Sequence, residues 1–516
     1  MKATYQDIDA LITAGEFSEA KARAGSALRE LESESPKSNA THHKLFKIAG
    51  LLIDVGSLAP DRETVALGLE ILETYQGALL ALVNEHHYHY CVGNAKESLV
   101  AAQHPEQRDF ASIRQLVDVK NCFWRAIRAT DGKVPPQYGV NLANSLKQQF
   151  RLAEALDWYD YAIPFGIPQA HINRSETLKL LNLVSNSFTV KLLDDVASGY
   201  EAVLDSPEVP PQARPHYLQL AREARNLVQQ FCFKHDINPD LDHRLDEEEY
   251  AQQTNFRRFC IDQRLALSEH SLYCRCAGST RDNLTIPTVG GIPGEFIVPM
   301  EAVLNRLKSE FSFCRRQYFE YLHDPTDENL QHESCFSELL NQELLGLQVE
   351  KLRTSFRACF GILDKIAEAV CDLHGLHPSK GHIYFESFWQ LDKPGRMAQF
   401  DAVKSPGLLA LHSIATDLSG TDGGEWAFFK KWRNALEHGA LVLQPEGATD
   451  VWGSFKDKPG VILVSERDFV YHLEHLLRLT RSAIFSFVFL VRDHGLRMKE
   501  QNPDGISMPI YRQDFP

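Results

Sequence analysis

Apolar residues recur at a helical spacing along almost the whole chain, and this period constrains the fold more than any single motif. The run 334–373 shows it best: Leu339, Leu340, Leu344, Leu345, Leu347, Leu352, Phe356, Phe360, Ile362, Ile366 and Val370 form one apolar side. Such spacing suits an α-helix with one buried face and cannot serve a strand, whose faces alternate every second residue. Comparable patterns predict helices over 298–322, 408–418 and 425–439. Ser465, three residues before Asp468, is placed to cap a last helix running through Phe489. Only 381–389 reads as a short extended interruption. The expected fold class is all-α. At 516 residues the chain exceeds one ordinary core, so several domains are expected.

The first half reads as helical hairpins. Residues 9–28 carry small residues, a turn glycine at Gly15 and an aromatic, Phe17, directly after it. The pattern returns over 140–163, where Leu142, Ala143, Leu146, Phe150, Ala155, Tyr159 and Ala162 occupy positions that resemble the packing positions of a tetratricopeptide repeat. Tyr90, Cys91, Val92, Gly93, Asn94 and Ala95 resemble the first-helix signature of the same repeat, with 110–130 as the partner helix. Further helices are expected over 177–204 and 213–233. The resemblance implies a solenoid over residues 1–230, whose concave groove would take a protein or peptide trigger. A polar, acidic stretch over 235–249 reads as linker, and 231–295 as a connecting region. A helical bundle is expected over 296–500, and a tail over 501–516.

The net charge of −15 excludes a protein coated for nucleic acid but leaves room for a local basic site. The ten cysteines show no disulfide-framework spacing, and the first residues lack an apolar signal core, so a reducing cytoplasmic setting is expected. The longest apolar run, 483–491, is interrupted by Ser486 and too short to span a bilayer, so no membrane association is expected. No Gly-x-Ser-x-Gly elbow, His-Glu-x-x-His helix or Walker loop is present, and the glycines of 289–294 fit no phosphate-binding spacing. Cys260, His270, Cys274 and Cys276 are the residues of this chain that come nearest to a zinc-ligand set. The Cys-x-Cys pair lacks the usual gap of a zinc knuckle, so inert thiols are expected, and no metal or other cofactor is assigned.

The chemistry-bearing stretch is Lys430-Lys431-Trp432-Arg433-Asn434-Ala435-Leu436-Glu437-His438-Gly439. On a helix, Asn434 and His438 share a face, and Arg433 is long enough to reach the same spot. A histidine able to move protons near neutral pH, beside a guanidinium shaped for phosphate, suits phosphoryl chemistry without a metal. Arg433 and Glu437 are equally spaced for a simple helix-surface ion pair.

Arg433-Asn434-x-x-x-His438, followed by Gly439 and placed before a final long helix, resembles the motif of the HEPN superfamily of helical ribonucleases. The resemblance covers about 296–500. It implies endonucleolytic cleavage of single-stranded RNA through a 2′,3′-cyclic phosphate. His438 would move protons, Arg433 would stabilise the transition-state phosphate, and Asn434 would position His438 or contact the scissile phosphate. Lys430 and Lys431 would attract the RNA backbone. It further implies a homodimer through the bundle and a toxin-like role in bacterial defence or stress. The alternative is a repeat-containing adaptor that dimerises through an inactive bundle. A related branch carries a modifiable tyrosine two residues after the histidine; here that position is Ala440.

Overall fold

The structure, a computed structural model, describes residues 2–100, 103–185, 189–236, 243–286, 300–324, 343–448 and 460–501. Helices dominate the described residues, and the fold is all-α with two short strands. The glycine-rich 289–294 stretch, the start of the expected 334–373 helix and the 502–516 tail lie outside the described residues. The chain divides into two compact units, Met1–Gln149 and Phe150–Pro516. The repeat-like pattern over 140–163 has one helix on each side of that division.

In the first unit each helix packs on its sequence neighbours. The pairs include Asn39–Leu58 with Arg62–Thr74, and Glu85–Leu99 with Phe110–Arg128. Side-chain caps define several starts. The backbone N–H of Thr41 donates to Ser38 Oγ at 3.2 Å, and that of Ser112 to Asp109 Oδ1 at 2.8 Å. Close helix approach depends on Gly93, where an added Cβ would stand 2.7 Å from Phe123 Cε1. The core around these helices is mostly Leu, Ile, Val and Ala, among them Leu45, Ile48, Leu52 and Leu72.

In the second unit the helices Leu152–Ala162, Pro168–Ser185, Val190–Glu201 and Arg214–His235 follow one another as packed neighbours. Part of the acidic stretch is itself helical, His243–Ala251, and its Asp246 is buried in an ion pair with Lys191. The bundle is built from Met300–His323, Leu347–His374, Pro406–Leu418 and the 36-residue helix Glu466–Gln501. The first two pack along each other and against the last, and Pro406–Leu418 also lies on the last helix. Residues 476–492 of that last helix are buried with few exceptions across the full turn, which is what a central helix requires. The expected cap is present, with Asp468 N–H donating to Ser465 Oγ at 3.0 Å.

Buried arginines hold the irregular segment between Gln263 and Ile286 onto the bundle. Arg481, 1% exposed, donates from Nε to the Ala266 carbonyl at 3.0 Å, and Arg315 Nη1 donates to the Leu265 carbonyl at 2.8 Å. Arg492 Nε donates to the Thr285 carbonyl at 3.0 Å and pairs with Glu269 at 2.7 Å. These forked donors satisfy carbonyls that no helix or sheet ladder covers. Arg151, fully buried, bridges Glu154 and Asp417, each at 2.5 Å.

The strands β1 (Ala440–Gln444) and β2 (Val461–Ser465) pair in parallel, with Ala440 opposite Val461. They were not expected from the sequence, because a five-residue apolar run has no period long enough to separate strand from helix. The 381–389 stretch, expected to be extended, forms no strand: a turn occupies 385–387 and the rest is irregular.

Candidate functional site

The motif lies on the helix Phe428–His438, which is strongly two-sided. Phe429, Trp432 and Ala435 are buried, while Lys430, Lys431, Asn434, Glu437 and His438 are exposed. An aromatic layer fixes the buried side. The Trp432 ring stacks on Phe469 with centroids 5.6 Å apart, and Phe429 meets Phe356 edge-on at 5.5 Å. Since Phe356 belongs to Leu347–His374 and Phe469 to Glu466–Gln501, two bundle helices set the rotation of the motif helix and leave its polar face in solvent.

Gly439 ends the helix. Its φ of −133° lies outside the left-handed region, so helix capping does not call for a glycine there. Space does: an added Cβ would sit 2.8 Å from the Gly460 carbonyl oxygen, which accepts from the Ala440 N–H at 3.1 Å. The glycine lets the chain pass directly from the motif helix into β1 beside the start of β2.

Arg433 turns away from Glu437 and into the bundle. Its Nη2 lies 3.1 Å from Asp364 Oδ2, and its guanidinium faces the rings of Phe360 at 5.4 Å and Tyr384 at 5.6 Å. Asp364 is also fixed by the Phe385 N–H, which donates to Oδ1 at 3.0 Å. Burial pushes the Asp364 carboxyl above the ordinary aspartate value, against the opposing pull of that N–H and of Arg433. The Arg433 side chain keeps 24% exposure, so part of its five-donor fork still faces solvent. Lys430 Nζ pairs with the largely buried Glu386 at 2.8 Å, leaving half of its own side chain exposed.

Among the described residues Lys431, Asn434 and His438 make no hydrogen bond or ion pair, and none joins Arg433 to His438. The fold therefore places one cation in a half-buried aromatic and carboxylate cradle and leaves the imidazole free on the adjoining surface. On the helix Leu347–His374, Lys351 and Arg353 are paired with Glu320 at 3.1 Å and Glu350 at 2.6 Å. Sequence reasoning missed Asp364, Tyr384 and Glu386. The one local signal was Asp364 itself, an acid among Gly361, Ile362, Leu363 and Ile366 on an apolar helix.

No helix among the described residues is long and apolar enough to cross a membrane. No curated protein and no solved structure matches the chain. Residues 294–494 match the family model described as LA2681-like HEPN, which supports a HEPN domain in the C-terminal part of this chain.

Proposed function

We infer that the HEPN domain is a metal-independent endoribonuclease acting on single-stranded RNA. The observation that carries this reading is the division of the motif helix into an anchored Arg433 and an exposed Asn434–His438 face. In the reading, His438 takes the proton of the ribose 2′-hydroxyl or returns one to the leaving 5′-oxygen. Attack of the 2′-oxygen on phosphorus breaks the bond to that 5′-oxygen and leaves a 2′,3′-cyclic phosphate. The solvent-facing donors of Arg433 stabilise the charge gathering on the phosphate, Asn434 orients the imidazole, and Lys430 and Lys431 draw in the backbone. One arginine and one histidine are few groups for the task, so the reading includes a homodimer that brings two such faces to one RNA. The stacked helices of the first half would act as a sensor for a protein or peptide trigger, in a bacterial defence or stress response.

The test is a labelled single-stranded RNA incubated with purified protein in buffer free of magnesium and manganese. Cleavage to 2′,3′-cyclic ends that disappears in Arg433→Ala and His438→Ala supports the reading; equal cleavage in those variants sinks it. A second reading, an inactive bundle serving a repeat-type adaptor, draws on the pairing of Arg433 with Asp364, which gives that arginine a structural role. It predicts no toxicity on expression, whereas the ribonuclease reading predicts toxicity relieved by the same two substitutions.

A further inference from the structure

Outside the motif helix, the fold gathers three potential metal ligands in the irregular segment that the bundle arginines hold. A short 3-10 turn, Glu269–Leu272, carries His270, and a second, Ala277–Thr280, follows Cys276 directly. The Cys274 N–H donates to the His270 carbonyl at 2.7 Å, which folds the chain back so that both thiols face the imidazole. His270 Nδ1 lies 3.7 Å from Cys274 Sγ and 3.4 Å from Cys276 Sγ, and the two sulfurs are 3.1 Å apart. All three donor atoms fall within 4.8 Å of one another, with Cys276 buried and the other two half-buried. Cys260, the fourth residue singled out in the sequence, is not in this group.

We propose that His270, Cys274 and Cys276 bind one zinc ion through Nδ1 and two thiolates, with water in the fourth position. Zinc–sulfur bonds of about 2.3 Å and a zinc–nitrogen bond of about 2.0 Å, at tetrahedral angles, place sulfur and nitrogen about 3.5 Å apart. Both observed sulfur–nitrogen separations lie within a few tenths of an ångström of that. The sulfurs must part by about 0.6 Å, which a small rotation of the half-buried Cys274 side chain supplies. Two sulfurs and an imidazole suit zinc better than calcium or magnesium, which take oxygen ligands.

The ion would brace this segment. The segment between Gln263 and Ile286 has little regular structure of its own, and it is held from the bundle side by Arg315, Arg481 and Arg492. Zinc would close it from the other side, where the Ala277–Thr280 turn packs on the helix His243–Ala251. The Ala277 N–H donates there to Glu249 Oε2 at 2.7 Å. None of its ligands belongs to the motif helix Phe428–His438, so this proposal stands apart from the reading of Arg433 and His438.

The full chain is purified from zinc-supplemented cells under reducing conditions and its metal content measured by mass spectrometry. We expect one zinc per chain in the natural sequence and in Cys260→Ser, and none in His270→Ala, Cys274→Ser or Cys276→Ser. Cobalt added to the metal-free protein should give a thiolate charge-transfer band and tetrahedral ligand-field bands, which the Cys276→Ser protein lacks. Should a variant fail to fold, zinc released from the natural protein by a thiol-modifying mercurial reports the same site. A reduced natural protein that holds no zinc and gives no cobalt bands overturns the proposal. So does metal content unchanged by the three substitutions, or a Cys274–Cys276 disulfide whose reduction restores no zinc uptake.

Discussion

Arg433 is held by Asp364, 3.1 Å away on a different helix, and not by Glu437, its neighbour one turn along the same helix. Part of the energy of that pair goes into offsetting the burial of the carboxylate, whose pKa stays above the ordinary value. Removing the arginine should therefore harm the fold as well as any chemistry. Arg433→Ala is expected to lose about 1–3 kcal/mol at neutral pH, the range for stranding a partly buried charge. An acid whose folded pKa is raised binds its proton more readily folded than unfolded, so stability falls as pH rises through that window. Without Arg433 the window moves further up. The stability deficit should thus shrink as the pH is lowered from neutral, and Asp364→Asn in the same chain should remove most of that pH dependence. Thermal melts of the two single variants and the double variant measure it.

Asn434 and His438 are exposed and make no polar contact among the described residues, so their loss should not touch the fold. His438→Ala is expected to lower RNA cleavage by about 100-fold or more with an unchanged melting temperature, and Asn434→Ala by a smaller factor. Single-turnover cleavage and a thermal melt on the same samples separate the two effects.

Asp364 and Tyr384 should behave as positioning residues for Arg433. Asp364→Asn keeps the shape but removes the charge, and is expected to cut the single-turnover rate by roughly 10-fold with little change in RNA affinity. Arg433→Lys should not restore the natural rate, because an ammonium cannot face two rings, meet a carboxylate and offer a flat fork to phosphate at once. Rate and binding measured separately check both points.

Gly93 packs where a Cβ would be 2.7 Å from the Phe123 ring. Gly93→Ala should destabilise the first unit by about 1–3 kcal/mol, and Phe123→Leu should recover part of the loss by opening space. Chemical denaturation followed by circular dichroism reads this directly.

His475 stacks on Trp426 with ring centroids 3.9 Å apart, and desolvation pushes its pKa down to about 3; His374, half-buried, is pushed down to about 4, again chiefly by desolvation. Both are neutral in the fold and bind protons more readily once unfolded. Their contribution is present above about pH 6.5 and is lost as pH falls, at up to about 1.4 kcal/mol per pH unit for each group. His475→Gln should flatten the acid limb of a stability–pH curve, even if it lowers the plateau.

The helices were legible because their cause is local. A 3.6-residue apolar period, capping residues such as Ser465 and Asp109, and the absence of proline inside the long runs specify them without reference to the rest of the chain. The Arg433–His438 spacing was legible for the same reason, as was its place before the last helix. Nothing local could show that Arg433 would choose Asp364 over Glu437, since the choice depends on how Leu347–His374 lies beside the motif helix. The same holds for Glu386 with Lys430 and for the parallel pairing of β1 with β2. A sequence determines which residues want a partner; distance and burial in the folded chain decide which partner each one finds, because these ion pairs and parallel strands draw on residues far apart in order.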